Sequence, residues 1–286
     1  MRFHLRGALA VAAAVLVSAC SSTEPATTTG QLLVRLTDAP GDYIESATIW
    51  ISSAYLIPGT DAAGEHIPVT LDEDHYVVTD LTDGVTAALG SATIPVGDYS
   101  QLRIVVDRAE VTLKAQYGGS TFDLQTPSAH QSGIKVDFDG PLHVAPGQTV
   151  LIVDFEVNRN FVATGPPGAP TGMLFKPVLH ATTMDIASTI SGTVGPGPWT
   201  ADDQVTVFAV IPLGGDPNAT DSTIVATASP DLTTGAYTLR YLDPRVTPFT
   251  VYVTAVGYAI SDTAQVTMPD PSGPNSVTGV DFTLTP

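Results

Sequence analysis

The chain of 286 residues sets 29 acidic residues against 11 Lys and Arg, a formal net charge of −18. Such a balance repels nucleic-acid phosphate and anionic headgroups and excludes both as partners. Apolar residues make up 43% of the chain, with β-branched runs punctuated by 25 Gly and 23 Pro, which excludes disorder and reads as all-β in about two domains.

Met1 to Leu9 carries Arg2 and Arg6 and no acid, and Ala8 to Val17 is an unbroken apolar run. That order is the pattern of a secretory signal, too short to span a bilayer. Val17-Ser18-Ala19-Cys20 resembles the bacterial lipobox, with Val17 where Leu is usual. The resemblance implies cleavage after Ala19 and lipidation (palmitate among the acyl groups) of Cys20, whose chains would anchor the protein to the membrane. Cys20 is the single cysteine, so a disulfide, a thiolate metal site and a thiol nucleophile are excluded with it. Ser21 stands where Asp would favour inner-membrane retention, so the expected location is the cell envelope, at the outer membrane if the host has one. Without residues 1–19 the balance is 9 basic against 29 acidic residues, a charge of −20.

Residues 20–29 lack large apolar side chains and read as a flexible tether. Leu32, Val34 and Leu36 then alternate with Leu33, Arg35 and Thr37, the period of a half-buried strand, which Asp38-Ala39-Pro40-Gly41 breaks. A second strand is expected over Ala47 to Ile57, with shorter pieces in "HIPVTL" and "HYVVTDL" around an acidic turn. Thr82 to Leu89 reads as one helical turn capped by Asp80 or Thr82. Further strands are expected at Asp98 to Val106, Val111 to Tyr117, Ile134 to Phe138, Thr149 to Phe155 and Met173 to Met184.

"GQLLVRLTDAP", "IPVGDYSQLRI", "TPSAHQSGIKV", "LIVDFE" and "LFKPVLH" resemble, in order and spacing, the DUF4382 family of bacterial surface lipoproteins over Gly30 to Asp185. The resemblance implies architecture and location but no reaction. The family's usual Asp-Phe-Asp is Asp154-Phe155-Glu156 here, and Asn158-Arg159-Asn160-Phe161 replaces a run of small residues. From Ile190 onward, "ISGTV", "VTVFAV", "TTGAYTLRYL", "FTVYVTAVGYA" and "VDFTL" resemble the carboxypeptidase regulatory-like, transthyretin-related sandwich, a module without catalytic residues of its own. Tyr241 to Pro248 departs from that family's short hairpin. The expected architecture is two β-sandwich-like domains in tandem, residues 30–187 and 190–286, with the boundary near Ala187-Ser188-Thr189.

Chemistry has few footholds. There is no Gly-x-Ser-x-Gly elbow, and His66, His75, His130, His143 and His180 are scattered, with no spacing that binds zinc or sets a base beside a serine. Calcium needs only clustered oxygens; Asp72-Glu73-Asp74, the pair Asp137 and Asp139, and Asp216 with Asp221 are weak candidates, and none completes an EF-hand loop. Carboxylate pairs across a cleft, as in glycosidases, cannot be singled out among so many acids. Asp154 lies in the apolar run "VLIVDF", where an unpaired carboxylate is costly. Arg103 and Lys135 project from strand patterns as its natural partners, so Asp38, Arg103, Lys135 and Asp154 are expected to form a structural polar network or line a binding site.

The function expected is therefore non-catalytic: an anchored envelope lipoprotein for binding, adhesion or scaffolding, with no cofactor and with a glycan or an envelope protein as partner. A calcium-dependent glycan-binding module and an enzyme with an undescribed active site are the alternatives. Trp50, Tyr55, Tyr76 and Trp199 grouped on one exposed face would favour a glycan, and a deep pocket of converging acids an enzyme.

Overall fold

The computed structural model describes residues 28–38, 43–59, 66–126, 133–138, 140–166, 170–177, 179–200, 203–212 and 222–286. Residues 1–19, where a signal is expected, Cys20, Pro40, Gly41, His130, Asp139, Asp216 and Asp221 lie outside the described residues, as does the side chain of Asp137.

The chain is all-β. Its first half holds β1 (Thr29–Thr37), β2 (Ile44–Pro58), β3 (Ile67–Leu71), β4 (His75–Val77), β5 (Ala87–Pro95), β6 (Gly97–Leu113) and β7 (Thr121–Gln125). Then come β8 (Ile134–Phe138), β9 (Leu142–Val144), β10 (Gly147–Asp154), β11 (Phe161–Thr164), β12 (Gly172–Phe175) and β13 (Leu179–Thr183). Among the described residues the order β2-β3-β5-β1-β10-β13-β8-β6 closes on itself, because β6 returns to pair with β2 along most of its length. Closure removes the open edges of the sheet. β4, β7 and β9 extend it at the rims, and β11 and β12 form a separate hairpin.

Alternation decides what fills the ring. Leu32, Val34 and Leu36 of β1 are fully buried inside, next to Leu102, Ile104 and Val106 of β6 and Leu151 and Val153 of β10. Of the four register shifts in the β2–β6 ladder, the two central ones leave Ser52 and Asp107 as extra residues, and Ser52 Oγ donates to Asp107 Oδ1 at 2.8 Å. Each bulge reverses which residues point inward. On β2, Ala47, Ile49 and Ile51 are buried before it and Ala54 and Leu56 after it; on β6 the buried set passes from Val106 to Ala109.

Several local expectations are corrected. The helical turn is Val78–Asp80, not Thr82 to Leu89, because Ala87–Pro95 is taken up as β5 against β1. The strands expected at Asp98 to Val106 and Val111 to Tyr117 are one strand, β6, since the bulge accommodates Asp107 and Arg108 without a break. Met173 to Met184 divides into β12 and β13 around Pro177, which has no N–H for a ladder.

The second half comprises β14 (Ser188–Gly195), β15 (Thr206–Pro212), β16 (Ser222–Ala228), β17 (Ala236–Leu242), β18 (Phe249–Thr254), β19 (Ala264–Val266), β20 (Ser276–Val277) and β21 (Phe282–Thr283). One sheet runs β17-β14-β20 with β21 also on β14, and the other runs β16-β15-β18-β19. Ile190, Val194, Leu239 and Tyr237 of the first meet Val207, Ala209, Val251 and Val253 of the second in a core separate from that of the barrel. Trp199 is buried in this core with its Nε1–H donated to the Val194 carbonyl at 2.9 Å.

Candidate functional site

Two polar regions on the outside of the barrel gather side chains with chemical capacity. The first lies where β1 and β10 end beneath the sandwich. Thr37 and Asp154 are register partners, and Asp154 is in turn paired with His180 of β13. Val225, Tyr241, Leu242 and Asp243 of the sandwich come down on this corner beside Ile152, Asp154 and His180. Asp38 is buried at the end of β1 and accepts the Val157 N–H through Oδ1 at 2.8 Å, satisfying a donor of the helical turn Val157–Asn160. Glu156 precedes that turn at φ 45°, is 2% exposed and accepts from Arg159 Nη1 through Oε2 at 3.3 Å. Its Oε1 is buried and has no hydrogen-bond partner.

Burial raises the Asp154 carboxyl well above the ordinary carboxylate range, although the Glu156 N–H and the Arg159 charge pull it back. Burial also raises Glu156, and the neighbouring Asp154 charge pushes it further the same way. Perturbed acids side by side are a signature of active sites as well as of structural networks. Here the space decides. The cavities touching Asp154 hold about 20 Å³ each, room for a water and not for a substrate.

The expected network is only half assembled. Asp38 and Asp154 meet at this corner, but Arg103 and Lys135 do not reach it. They are register partners of each other on β6 and β8. β13 and β8 stand between β6 and β10, and three strand spacings amount to roughly 14 Å, beyond an arginine's reach. Arg103 Nη1 donates instead to the Gly133 carbonyl at 3.1 Å, and its Nε to Gln101 Oε1 at 2.5 Å. The cation that lies against Asp154 and Glu156 is Arg159, and it also donates to the Ile224 carbonyl of the sandwich. Sequence reasoning passed over Arg159 and Glu156 as site residues, although both sit in the stretch where the chain departs from the pattern it resembles.

The second region is the solvent face of β2 and β6. Because of the bulges, Trp50 and Tyr55 point out on the same side although five positions apart. Each faces an arginine across the ladder: Trp50 faces Arg108, and Tyr55 faces Arg103. Each also stacks with a histidine at 20°, Trp50 with His75 at 6.3 Å and Tyr55 with His66 at 4.3 Å between centroids. The Arg108 guanidinium carbon lies 4.4 Å from the Trp50 ring centroid, a cation–π contact. Asp123 and Glu110 bind the same arginine at 2.8 Å each. The result is a row of histidine, aromatic ring and arginine that occurs twice, the two rows roughly 13 Å apart along the strands.

Of the four aromatics named as a possible face, Tyr76 and Trp199 are core residues, and Trp50 and Tyr55 share the exposed side. Asp74 is engaged by His75 Nδ1 at 2.8 Å, and that contact holds its carboxyl below the usual range. Among the described residues no group of three or more His, Cys, Asp and Glu side chains forms a metal site, and no helix is long and apolar enough to cross a membrane.

No curated protein matches the chain in sequence. Three solved structures illustrate the structural comparison. The TIE protein of Bacillus anthracis is 10% identical with a TM-score of 0.22, over 90% of this chain and 34% of its own. A leucine-rich repeat protein from Bacteroides thetaiotaomicron is 9% identical with a TM-score of 0.20, over 89% of this chain and 26% of its own. The chain thus spans about a third or less of these two proteins' lengths. The shaft pilin spaA from Lactobacillus rhamnosus GG is 10% identical with a TM-score of 0.19, over 91% of this chain and 99% of its own. At such TM-scores no functional inference passes from these proteins to this one. The family model described as a domain of unknown function, DUF4382, matches residues 29–177, just over half of the sequence, and the chain belongs to that family.

Proposed function

We propose that the protein is a lipid-anchored envelope protein that binds an extended glycan, without catalysis, on the solvent face of β2 and β6. The observation that carries this reading is the repeated row: His75, Trp50 and Arg108, then His66, Tyr55 and Arg103. A polymer of repeating units presents the same contact more than once, and two equivalent rows on one face are suited to it. Aromatic rings offer apolar surface to sugar C–H groups. Arg103, Arg108, Asp107 and Asp123 supply donors and acceptors for hydroxyls around them. Among the described residues no group of three or more His, Cys, Asp and Glu side chains gathers on this face, and the reading expects calcium-independent binding. The tether and the lipid on Cys20 belong to the same proposal, as does the transthyretin-related reading of residues 190–286, supported by two facing sheets around one core.

The test is a titration of envelope polysaccharides against the full chain and against Trp50→Ala and Tyr55→Ala, with and without EDTA. The reading expects saturable binding that each variant weakens at least tenfold and EDTA leaves unchanged. Binding that both variants retain in full would refute it. Retention of an envelope protein rather than a polysaccharide, lost in the same variants, would replace the glycan with a protein partner, since Trp, Tyr and Arg also dominate protein hot spots.

A further inference from the structure

A cavity of ligand size lies at the barrel–sandwich junction and plays no part in the glycan-binding reading. It holds about 630 Å³, within the range of sites for small molecules. Pro141, Leu142, Ala145 and Val150 of the barrel form one wall. Met184 and Ile186 of the connection to β14 form the floor, and Arg245, Pro271 and Ser272 of the sandwich close the far side. Met184 is 44% exposed at its lip, which leaves a large apolar side chain in contact with solvent.

The two basic side chains of the lining are already paired. Arg245 donates through Nε to both oxygens of Asp243, at 2.9 and 3.0 Å, and His143 Nδ1 lies 2.8 Å from Asp98 Oδ1. Asp185 at the lining and the charge of −18 on the whole chain discourage an anion further. Among the uncharged polar side chains of the lining, which include Gln148, Thr149, Thr183 and Ser272, one buried hydroxyl stands apart. Thr182 lies between this cavity and the water-sized space beside Asp154, is 4% exposed, and has its Oγ1 buried without a hydrogen-bond partner. A buried hydroxyl left unbonded is costly, and a bound polar group would satisfy it.

We infer that this cavity binds an uncharged, lipid-like molecule with an apolar body and one hydroxyl or carbonyl, held at its polar end by Thr182. The apolar walls take the body, and Asp185 with the acidic chain selects against a carboxylate end. The site is a second one, independent of the aromatic face.

The experiment uses the exported full chain carrying Cys20→Ser, so that no acyl chain of its own competes. The neutral fluorophore N-phenyl-1-naphthylamine is titrated into it, and 1-decanol and decane are then compared as displacers. The inference expects saturable, blue-shifted fluorescence with one probe per chain, and decanol displacing it several-fold better than decane. Thr182→Val should abolish that preference while the probe still binds. Ser272→Trp and Ala145→Trp, both at exposed positions on the rim, should each weaken the probe at least tenfold, whereas Trp50→Ala should leave it unchanged. Unsaturable fluorescence, undiminished binding in both filled variants, or a decanol preference that survives Thr182→Val would overturn the assignment.

Discussion

Tyr241 Oη donates to the carbonyl of Gly84 at 2.8 Å, joining β17 of the sandwich to the turn that precedes β5 of the barrel. Gly84 sits at φ 88°, and a Cβ placed there would come within 3.1 Å of Arg240 Cδ and Nε. The left-handed backbone conformation favours glycine, while the approach to the flexible Arg240 side chain is tight but can give. Tyr241→Phe should therefore lower stability by about 1 kcal/mol, the worth of one hydrogen bond. Gly84→Val should cost more, through strain and displacement of Arg240. Calorimetry of both variants checks this, and a Gly84→Val protein as stable as the parent would show that the junction is not held here.

Arg103 and Arg159 separate by their surroundings. Arg159 pairs with a carboxylate that is 2% exposed, so Arg159→Met strands that charge, a loss of about 3–5 kcal/mol where Glu156 is ionised. The loss should shrink below the raised Glu156 value of about 8, where the carboxyl holds a proton. Arg103 lies on the outer face of β6 beside Tyr55 and Lys135, and Arg103→Met should cost less than about 1 kcal/mol, in the range of surface contacts. Denaturant melts of the two variants at two pH values read both effects. Equal losses would mean that the polar corner does not depend on Arg159.

How far the sequence reached can be seen on β1 and β6. Alternation separated Leu32, Val34 and Leu36 from Leu33, Arg35 and Thr37 on β1, and the structure buries the first three. Alternation is a local property, and the strands report it directly. The bulges at Ser52 and Asp107 are not local, because each is defined by its partner strand, and so the shared face of Trp50 and Tyr55 was hidden. Closure of the barrel through β2 and β6 is likewise a pairing between segments far apart in the chain. The cost of burying Asp154 was legible, but its partner was assigned to a scarce cation on a nearby motif. Strand order, which no composition reveals, gave the role to Arg159.

Cys20→Ser should release the protein from the membrane fraction. In the lipoprotein reading the acyl chains supply the anchoring, each buried methylene contributing about 0.8 kcal/mol, and a polar tether supplies none. Fractionation of cells carrying either form, with mass spectrometry of the mature N-terminus, measures it. Unchanged partitioning of the variant would remove the lipid from the account and leave both binding sites standing.

Stability should fall as pH rises, and Asp154 with Glu156 gives the reason. Both carboxyls are raised by burial, Glu156 also by the charge of Asp154. Around them stand Asp38 at the end of β1, Arg159 on the helical turn and His180 on β13. From the sandwich come Arg240, Tyr241 and Asp243. A carboxyl with a raised folded pKa keeps its proton in the native state at pH values where the unfolded chain has released it. Below about pH 4 both states are protonated at these positions and the pair imposes no penalty. As pH climbs through the ordinary carboxylate range towards the raised values, the unfolded state is favoured more with each step, until both groups ionise in the fold as well. Repulsion across an acidic chain adds a decline of its own, so the comparison must be with a variant. Asp154→Asn with Glu156→Gln removes both titrations and should flatten the slope of unfolding free energy between pH 5 and 8, leaving only the general term. A double variant with the parent's slope would mean that the native pair is already ionised at pH 5, with Arg159 holding it so.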